Sequence, residues 1–174
     1  MKIYLAGPVV TDDPSIKAQM QTLEDAINEM PTDYDKYAQQ EVHYHVYRPG
    51  THKVPNAWGI DMATWGQCVF TMDVVAIDEC DWMVVADYGR QATAGTAWEC
   101  GYAFAKGVKI LVVRMPGVEE TSLMTQGCAA NIVNYNDFVA GVNHVDKKSI
   151  ELQETRFERF FYERGRKPQG VTLN

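Results

Sequence analysis

Short apolar segments alternate with amphipathic segments along this sequence, and that alternation restricts the possible folds more than any other feature. Residues 82–86 (WMVVA) and 109–113 (KILVV) are almost continuously apolar, as expected of strands buried on both faces of a sheet. Segments with apolar residues every three or four positions, the pattern of amphipathic helices, separate them. Helices between strands imply right-handed βαβ crossovers. The sequence therefore predicts an α/β fold with a parallel sheet and helices on both faces.

Five strands and four helices follow from these periodicities. The predicted strands are residues 2–6, 43–47, 82–86, 109–113 and, at one edge, 131–133. The first helix begins at Asp12 or Asp13 ahead of Pro14, and its apolar stripe is Ile16, Met20, Leu23, Ile27 and Met30. The second helix carries its stripe at Met62, Trp65, Val69, Met72 and Ala76. The third has a small-residue face, expected to lie against the sheet, at Ala94, Ala97, Gly101 and Ala105. The last begins at Asp146 and carries Ile150, Phe157, Phe160 and Phe161.

Length and charge limit the classes of function. With 174 residues, 46% of them apolar, we expect one soluble domain over residues 1–174, with 166–174 as a flexible tail. The chain carries 16 Lys and Arg against 23 Asp and Glu, a net charge of −7. Nucleic acids and anionic membranes bind basic surfaces, so neither is an expected partner. The apolar stretch at the N-terminus is too short for a signal peptide or membrane span.

The cysteine spacing indicates the redox state of the protein, and the absence of glycine-rich phosphate-binding motifs argues against two nucleotide-binding folds. The four cysteines, Cys68, Cys80, Cys100 and Cys128, show no CxxC pairing. Without a secretory signal, we expect them to be reduced thiols in a cytoplasmic protein. The sequence contains neither GxGxxG nor GxxxxGK followed by Ser or Thr. A dinucleotide-binding fold and a P-loop are therefore not indicated.

The expected ligand edge of the sheet contains the first chemical candidate. Ligands of parallel α/β sheets bind beyond the carboxyl ends of the strands, which here selects the loops 7–11, 87–95 and 114–122. Glu99 lies just inside the helix after WMVVA, where the positive helix end favours a carboxylate. Thr96-x-x-Glu99 also fits a capping box, in which Glu99 accepts from a backbone N–H. On pattern alone, that structural interpretation is favoured over catalysis.

A second acid and a tyrosine could complete a site with Glu99. Asp73 borders the apolar stripe of the second helix, where an acid is either solvated or held by a specific partner. Two carboxylates facing one cleft can cleave a glycosidic bond, because one protonates the leaving group while the other attacks the anomeric carbon. Tyr4, near the carboxyl end of the first strand, is a packing residue by default, although its hydroxyl could fix a carboxylate.

Aromatic and basic residues between the second strand and second helix have simpler interpretations. Trp58 and Trp65 are expected in the core, with stacking on a nucleobase as the alternative. The loop with Arg48, His52 and Lys53 is expected to be solvated, and it is the one cluster that could meet a phosphate.

Four blocks of the sequence resemble the nucleoside 2-deoxyribosyltransferase family. They are IYLAGP, FTMDVVAIDECDWMVVAD, AGTAWECGYAFAKGVKILVV and TSLMTQGCAANIV, in the order of the family. The most specific is the G-T-A-aromatic-E-x-G-Y-A string that contains Glu99. The resemblance implies a flavodoxin-like five-stranded parallel sheet with helices on both faces, in agreement with the pattern-based prediction.

The resemblance also implies specific functions for individual residues. Glu99 would be the nucleophile that forms a covalent deoxyribosyl ester, Asp73 the acid/base at the leaving base, and Tyr4 the residue that positions Glu99. The implied substrate-binding residues are Gly7, Thr93, Gly95, Ser122 and Met124. The family implies small-molecule nucleoside or nucleotide and nucleobase substrates, no cofactor or metal, and homo-oligomers whose active sites take residues from a neighbouring subunit.

Two positions depart from the transferase pattern. Thr93 stands where the transferases commonly carry an Asp for the sugar 5′-hydroxyl, and Ser122 stands where they carry an Asn donated by the neighbouring subunit. The similar branch of 2′-deoxynucleoside 5′-monophosphate N-glycosidases has small hydroxyl residues at both places. Loss of an acid there removes like-charge repulsion against a phosphate. That branch, however, carries a basic residue in its first loop, which here reads GPVVT.

The expected function is cleavage of the N-glycosidic bond of 2′-deoxyribonucleosides, with transfer of the deoxyribosyl group to another nucleobase through a covalent Glu99 intermediate. One alternative is hydrolysis of 2′-deoxynucleoside 5′-monophosphates to free base and deoxyribose 5-phosphate. An alternative of another class is a non-catalytic nucleotide-binding module on the same sheet.

Overall fold

Strands and helices alternate in the computed structural model, which describes residues 1–9, 12–29, 33–35, 40–89 and 94–143. The strands are β1 (Lys2–Ala6), β2 (Asp33–Asp35), β3 (Gln40–Val42), β4 (His45–Tyr47), β5 (Trp82–Asp87), β6 (Lys109–Arg114) and β7 (Asn131–Asn134). The helices are α1 (Pro14–Asn28), α2 (Met62–Glu79), α3 (Ala94–Ala105), α4 (Leu123–Cys128) and α5 (Tyr135–Asn143). A short 3₁₀ helix, Ala57–Gly59, lies between β4 and α2.

Five parallel strands form the main sheet, in the order β4-β1-β5-β6-β7. The chain runs outward from β1 to β4 and then crosses back to β5, so the strand order reverses between β1 and β5. This is the flavodoxin-like arrangement, in which ligands bind beyond the carboxyl ends of the strands at the reversal. The predicted fold class is confirmed. Strands β2 and β3 pair separately as an antiparallel hairpin.

Alternate residues of β1 face opposite layers of helices, as in any strand. Ile3 packs in the core layer that contains Leu23 of α1. Tyr4 packs in the opposite layer, with Ile77 of α2 and Cys100 of α3. The tyrosine therefore lies on the face of the sheet that is covered by the two helices with the candidate carboxylates.

The first helix forms as its sequence predicts. Asp13 is the N-cap and its side chain accepts a hydrogen bond from the backbone N–H of Ser15 at 2.8 Å, with Pro14 as the first helical residue. The buried residues of the predicted stripe are Met20, Leu23 and Ile27. The helix ends at Asn28, and Met30 lies outside the described residues.

The inner face predicted for α3 is wrong, and the one predicted for α2 holds only in its second half, where Val69, Met72 and Ala76 are half-buried. In α2 only Ile77 is fully buried, and Met62 and Trp65 at the start of the predicted stripe are exposed. The predicted small-residue face of α3 (Ala94, Ala97, Gly101 and Ala105) is exposed, and the residues buried against the sheet are Thr96, Glu99, Cys100 and Ala103. Both helices have apolar or small residues on more than one face, so periodicity alone does not identify which face meets the sheet.

The remaining differences concern the second sheet strand and the elements that the sequence did not predict. The second sheet strand begins at His45 and has three residues, two fewer at its start than predicted. The hairpin β2–β3 and the helices α4 and α5 were not predicted. The helix expected from Asp146 and the tail at 166–174 lie outside the described residues. No helix within the described ranges is long and apolar enough to cross a membrane.

Helix α5 packs on the core mainly through Phe138, with Tyr135 and Val139 partly buried beside it, and truncation of Phe138 tests the fold. Phe138 is fully buried in the layer formed with α1. We expect Phe138→Ala to lower the free energy of unfolding by about 3–5 kcal/mol, through lost burial and the cavity left behind. Urea denaturation measures the loss, and the exposed neighbour Asn136→Ala serves as the control. Equal stability of the two variants would contradict this packing.

Candidate active site

A tyrosine and a glutamate meet in the layer between the sheet and α3. The Tyr4 hydroxyl donates a hydrogen bond to Oε1 of Glu99 at 2.9 Å. Tyr4 is fully buried and Glu99 is 6% exposed. The other carboxyl oxygen, Oε2, is also buried, and within the described part of the chain it has no hydrogen-bond partner. One oxygen of Glu99 is therefore fixed by Tyr4, while the second is buried and without a partner among the described residues.

The surroundings of Glu99 raise its pKa to about 7. Burial is the main cause, because it disfavours the charged carboxylate. The hydrogen bond from Tyr4 opposes that shift, and the nearby charge of Asp73 adds to it. A carboxyl group with this pKa is partly ionised at neutral pH, which suits a group that must alternate between charged and neutral states.

The capping-box interpretation of Glu99 is wrong. Thr96 is the third residue of α3, not a residue ahead of the helix, and it is buried. The carboxylate of Glu99 accepts from the phenol of Tyr4, on the neighbouring strand. Tertiary packing against the sheet, which local spacing does not reveal, decides the position of this side chain.

Asp73 is held by a second tyrosine that the sequence did not single out. Asp73 is half-buried on α2, and its Oδ1 accepts a hydrogen bond from the hydroxyl of Tyr47 at 3.1 Å. Burial raises the pKa of Asp73, while the Tyr47 hydrogen bond and the charge of His52 oppose the rise. Tyr47 is the last residue of β4, and its importance is visible only once the register of β4 on β1 is known.

The two tyrosines connect the carboxylates across the sheet. Tyr4 and Tyr47 are register partners in β1 and β4. Their rings stack with centroids 5.5 Å apart and an interplanar angle of 25°. Glu99 and Asp73 thus stand at the two ends of a stacked pair of phenols, near enough for the charge of Asp73 to raise the pKa of Glu99.

A cavity of about 840 Å³ opens beside Asp73. Its lining includes Tyr47, His52, Trp58, Trp65 and Asp73. Trp58 is fully exposed and Trp65 is 40% exposed, so the prediction that both lie in the core is wrong. Both indoles face a cavity next to a carboxylate, as the alternative interpretation of stacking on a base requires.

Of the residues implied as substrate ligands, Gly7, Gly95, Ser122 and Met124 are described by the structure, and they follow the carboxyl ends of different strands. Gly7 directly follows β1, and a Cβ there would lie 2.8 Å from Cε of Met20, so the end of that methionine side chain would have to move to admit a larger residue. Gly95 is exposed in the first turn of α3, and Thr93 lies outside the described residues.

Ser122 and Met124 lie on α4, away from the lining of the cavity beside Asp73. Ser122 is the N-cap of the helix and accepts from the backbone N–H of Thr125 at 3.3 Å. Met124 is 82% exposed. Within the described residues, the structure therefore links Glu99 to Asp73 through Tyr4 and Tyr47. Asp73 and Tyr47 line the cavity, whereas Glu99, Tyr4, Ser122 and Met124 of the same chain are not in its lining.

The basic loop after β4 places His52 and Lys53 in the lining of the cavity beside Asp73. The His52 ring stacks on Tyr47 at a centroid distance of 4.5 Å. Arg48, by contrast, is engaged by Glu24 at 3.1 Å and by Gln21 at 3.2 Å on α1. Among the described residues, no three His, Cys, Asp or Glu side chains lie close enough together to hold a metal ion.

Comparison with known proteins identifies the family. Residues 3–148 match the family model described as nucleoside 2-deoxyribosyltransferase. The chain belongs to the nucleoside 2-deoxyribosyltransferase family. Membership places it in the class of deoxyribosyltransferases and N-glycosidases. No curated protein sequence matches the chain.

Solved structures share the fold of this deoxyribosyltransferase-family chain. A 2-deoxyribosyltransferase from Bacillus psychrosaccharolyticus superposes with a TM-score of 0.60 at 22% identity, covering 88% of this chain and 98% of that one. A conserved protein from Enterococcus faecalis V583 gives 0.58 at 19% identity, over 82% and 96% of the two chains. The CMP N-glycosidase BcmB of Clostridium botulinum gives 0.51 at 18% identity, over 82% and 99%.

The Tyr4–Glu99 contact yields a prediction about ionisation. The phenol stabilises the charged carboxylate, so Tyr4→Phe should raise the pKa of Glu99 further above about 7. Carbon-13 NMR titration of the glutamate carboxyl groups measures the pKa of Glu99 in the variant and in the wild type. Tyr88→Phe, which removes a hydrogen bond to Gln19, is the matched control and should leave Glu99 unchanged. An unshifted Glu99 titration in Tyr4→Phe would contradict the assigned contact.

Proposed function

We propose that this protein cleaves the N-glycosidic bond of 2′-deoxyribonucleosides and transfers the deoxyribosyl group to another nucleobase. The observation that carries the proposal is the buried Glu99 carboxyl, fixed through Oε1 by Tyr4, with Oε2 unpartnered among the described residues. A half-buried acid, Asp73, lies close by and lines a cavity with two accessible indoles. Two carboxyl groups with distinct surroundings are what retaining glycosyl transfer requires.

In the first step, Oε2 of Glu99 attacks C1′ of the deoxyribose. The bond between C1′ and the base nitrogen breaks, and its electron pair stays on the base. Asp73 donates a proton to the departing base, a task that suits an acid whose pKa burial has raised. The product of this step is a deoxyribosyl ester of Glu99 and a free base.

In the second step, a nitrogen of the incoming base attacks C1′ and Glu99 leaves as a carboxylate. Asp73, now ionised, accepts the proton that the incoming base loses. Two inversions at C1′ give net retention of configuration. The Tyr4 hydrogen bond stabilises the carboxylate before attack and again when it is released.

A second candidate function is hydrolysis of 2′-deoxynucleoside 5′-monophosphates. Thr93 and Ser122, which replace the Asp and Asn of the transferase pattern, favour it because hydroxyl groups accommodate a phosphate without charge repulsion. Ser122 stands at the N-terminus of α4, with its hydroxyl 2.8 Å from that of Thr125. In this reaction, water replaces the incoming base in the second step.

We also propose that the protein acts in the cytoplasm as a homo-oligomer with shared active sites. Large apolar side chains are exposed along α2, α3 and α4, namely Met62, Phe70, Trp98, Leu123 and Met124. An exposed apolar surface of this kind is typical of a subunit contact. A second copy that covers it would also explain why Ser122 and Met124 face away from their own cavity. Light scattering tests the oligomer by giving the molar mass in solution. The cytoplasmic location is supported separately by the four cysteines, which form no disulfide bonds and so fit a reducing compartment.

Product analysis with an acceptor base tests the function. Purified protein is incubated with a deoxynucleoside and a different free base, and separately with each deoxynucleoside 5′-monophosphate alone. We expect a new deoxynucleoside only when the acceptor is present, and we expect Glu99→Ala to lower the rate by at least about 1,000-fold while the fold is retained.

The other outcomes separate the alternatives. Free base and deoxyribose 5-phosphate from the monophosphates alone would establish the hydrolase. Ligand binding by calorimetry that survives Glu99→Ala, with no base released by wild type, would establish a non-catalytic module. Retention of wild-type turnover in Glu99→Ala would overturn the nucleophile assignment.

A further inference from the structure

Tyr47 contacts Asp73 through its hydroxyl and two neighbouring rings through its own ring. Its hydroxyl donates to Oδ1 of Asp73 at 3.1 Å. Its ring stacks with Tyr4 at 5.5 Å and with His52 at 4.5 Å. The ring is thus held in place by stacking, while the hydroxyl is directed at one oxygen of the carboxyl group.

The position of Tyr47 relates it to the reaction. Tyr47 and Asp73 both line the cavity beside the two indoles, so the hydrogen bond lies at the wall where a base would leave. With Oδ1 occupied by the phenol, the proton that Asp73 gives to a leaving base is carried on its other oxygen. A hydrogen bond to Oδ1 also strengthens as the carboxyl group becomes negative during that transfer.

We propose that Tyr47 is a positioning residue for Asp73, which orients the acid toward the leaving base and stabilises the carboxylate formed when the proton departs. The inference rests on the proposed function for its chemical meaning, because it assigns Asp73 to the leaving base. The geometry on which it stands is independent of that assignment. The hydrogen bond from Tyr47 strengthens as Asp73 becomes charged during the reaction. It therefore stabilises the transition state more than it strengthens substrate binding.

The other groups facing Asp73 define what a titration would report. They are Tyr47 at the end of β4, His52 in the following loop, Tyr4 on β1 and Glu99 on α3. Burial and the neighbouring Asp73 raise the pKa of Tyr47, so its phenol stays protonated and remains a donor. Removal of the hydroxyl should therefore raise the pKa of Asp73, with the His52 charge as the remaining opposing influence.

Tyr47→Phe keeps the stacked ring and removes only the hydrogen bond. With an ordinary deoxynucleoside, we expect kcat to fall about 10- to 100-fold while KM changes little, as for loss of a hydrogen bond to a charged group. The base of an N-methylated form of the same nucleoside is already cationic and leaves without a proton. With that substrate, we expect Tyr47→Phe to lower kcat by less than about threefold. Asp73→Asn should show the same dependence on the leaving base.

The matched control is Tyr102→Phe. Tyr102 donates to Oδ1 of Asp78 at 2.9 Å, an equivalent tyrosine–aspartate hydrogen bond between α3 and α2 away from the cavity. We expect it to leave both rates unchanged. If Tyr47 were only a structural tie between β4 and α2, its loss would lower the rates on both substrates alike, and that result would overturn the inference.

A titration that needs no turnover separates this inference from the proposed function. Carbon-13 NMR of the aspartate carboxyl groups should show a higher pKa for Asp73 in Tyr47→Phe than in wild type, and no change in Tyr102→Phe. An unchanged Asp73 pKa would overturn the inference even in an active enzyme. Absence of base release by the wild type would overturn the proposed function and leave the titration result standing on its own.

Discussion

The hydrogen bond between Tyr4 and Glu99 is the interaction on which the site depends. A carboxyl group buried between a sheet and a helix loses its hydration, which is costly for the charged form unless a donor replaces the water. The phenol on β1 supplies that donor, and it is present because strand alternation directs residue 4 toward α3. The result is a carboxyl group whose pKa is raised to about 7, with one oxygen held and the other unpartnered among the described residues.

The architecture of the sheet brings the second acid to the same region. Because β4 lies beside β1, Tyr47 stacks on Tyr4 and reaches Asp73 on α2. Two acids from different helices are thereby placed by two tyrosines from neighbouring strands. The burial of Glu99 is greater than that of Asp73, and this difference gives the carboxyl groups distinct surroundings suited to attack on carbon and to proton transfer.

Much of the fold was predictable because it depends on local signals. The apolar runs of β5 and β6, the cap and proline of α1, and the alternation of strand and helix are visible in the sequence. Glu99, Asp73 and Tyr4 were identified with the help of family resemblance, since local spacing favoured a capping box at Glu99. The pairing of Tyr47 with Asp73 and the exposure of Trp58 depend on strand register and on packing between distant segments. Neither leaves a periodic signal in the sequence.

Trapping of the covalent intermediate is the sharpest test of the proposal that Glu99 attacks the sugar. Protein mixed with a deoxynucleoside in the absence of an acceptor base is quenched in acid, and its intact mass and peptides are measured. We predict that one deoxyribosyl group is added to the peptide that contains Glu99, and that the added mass disappears when an acceptor base is supplied before the quench. Base release with the added group on another residue, or with no added mass at any time during turnover, would contradict the account.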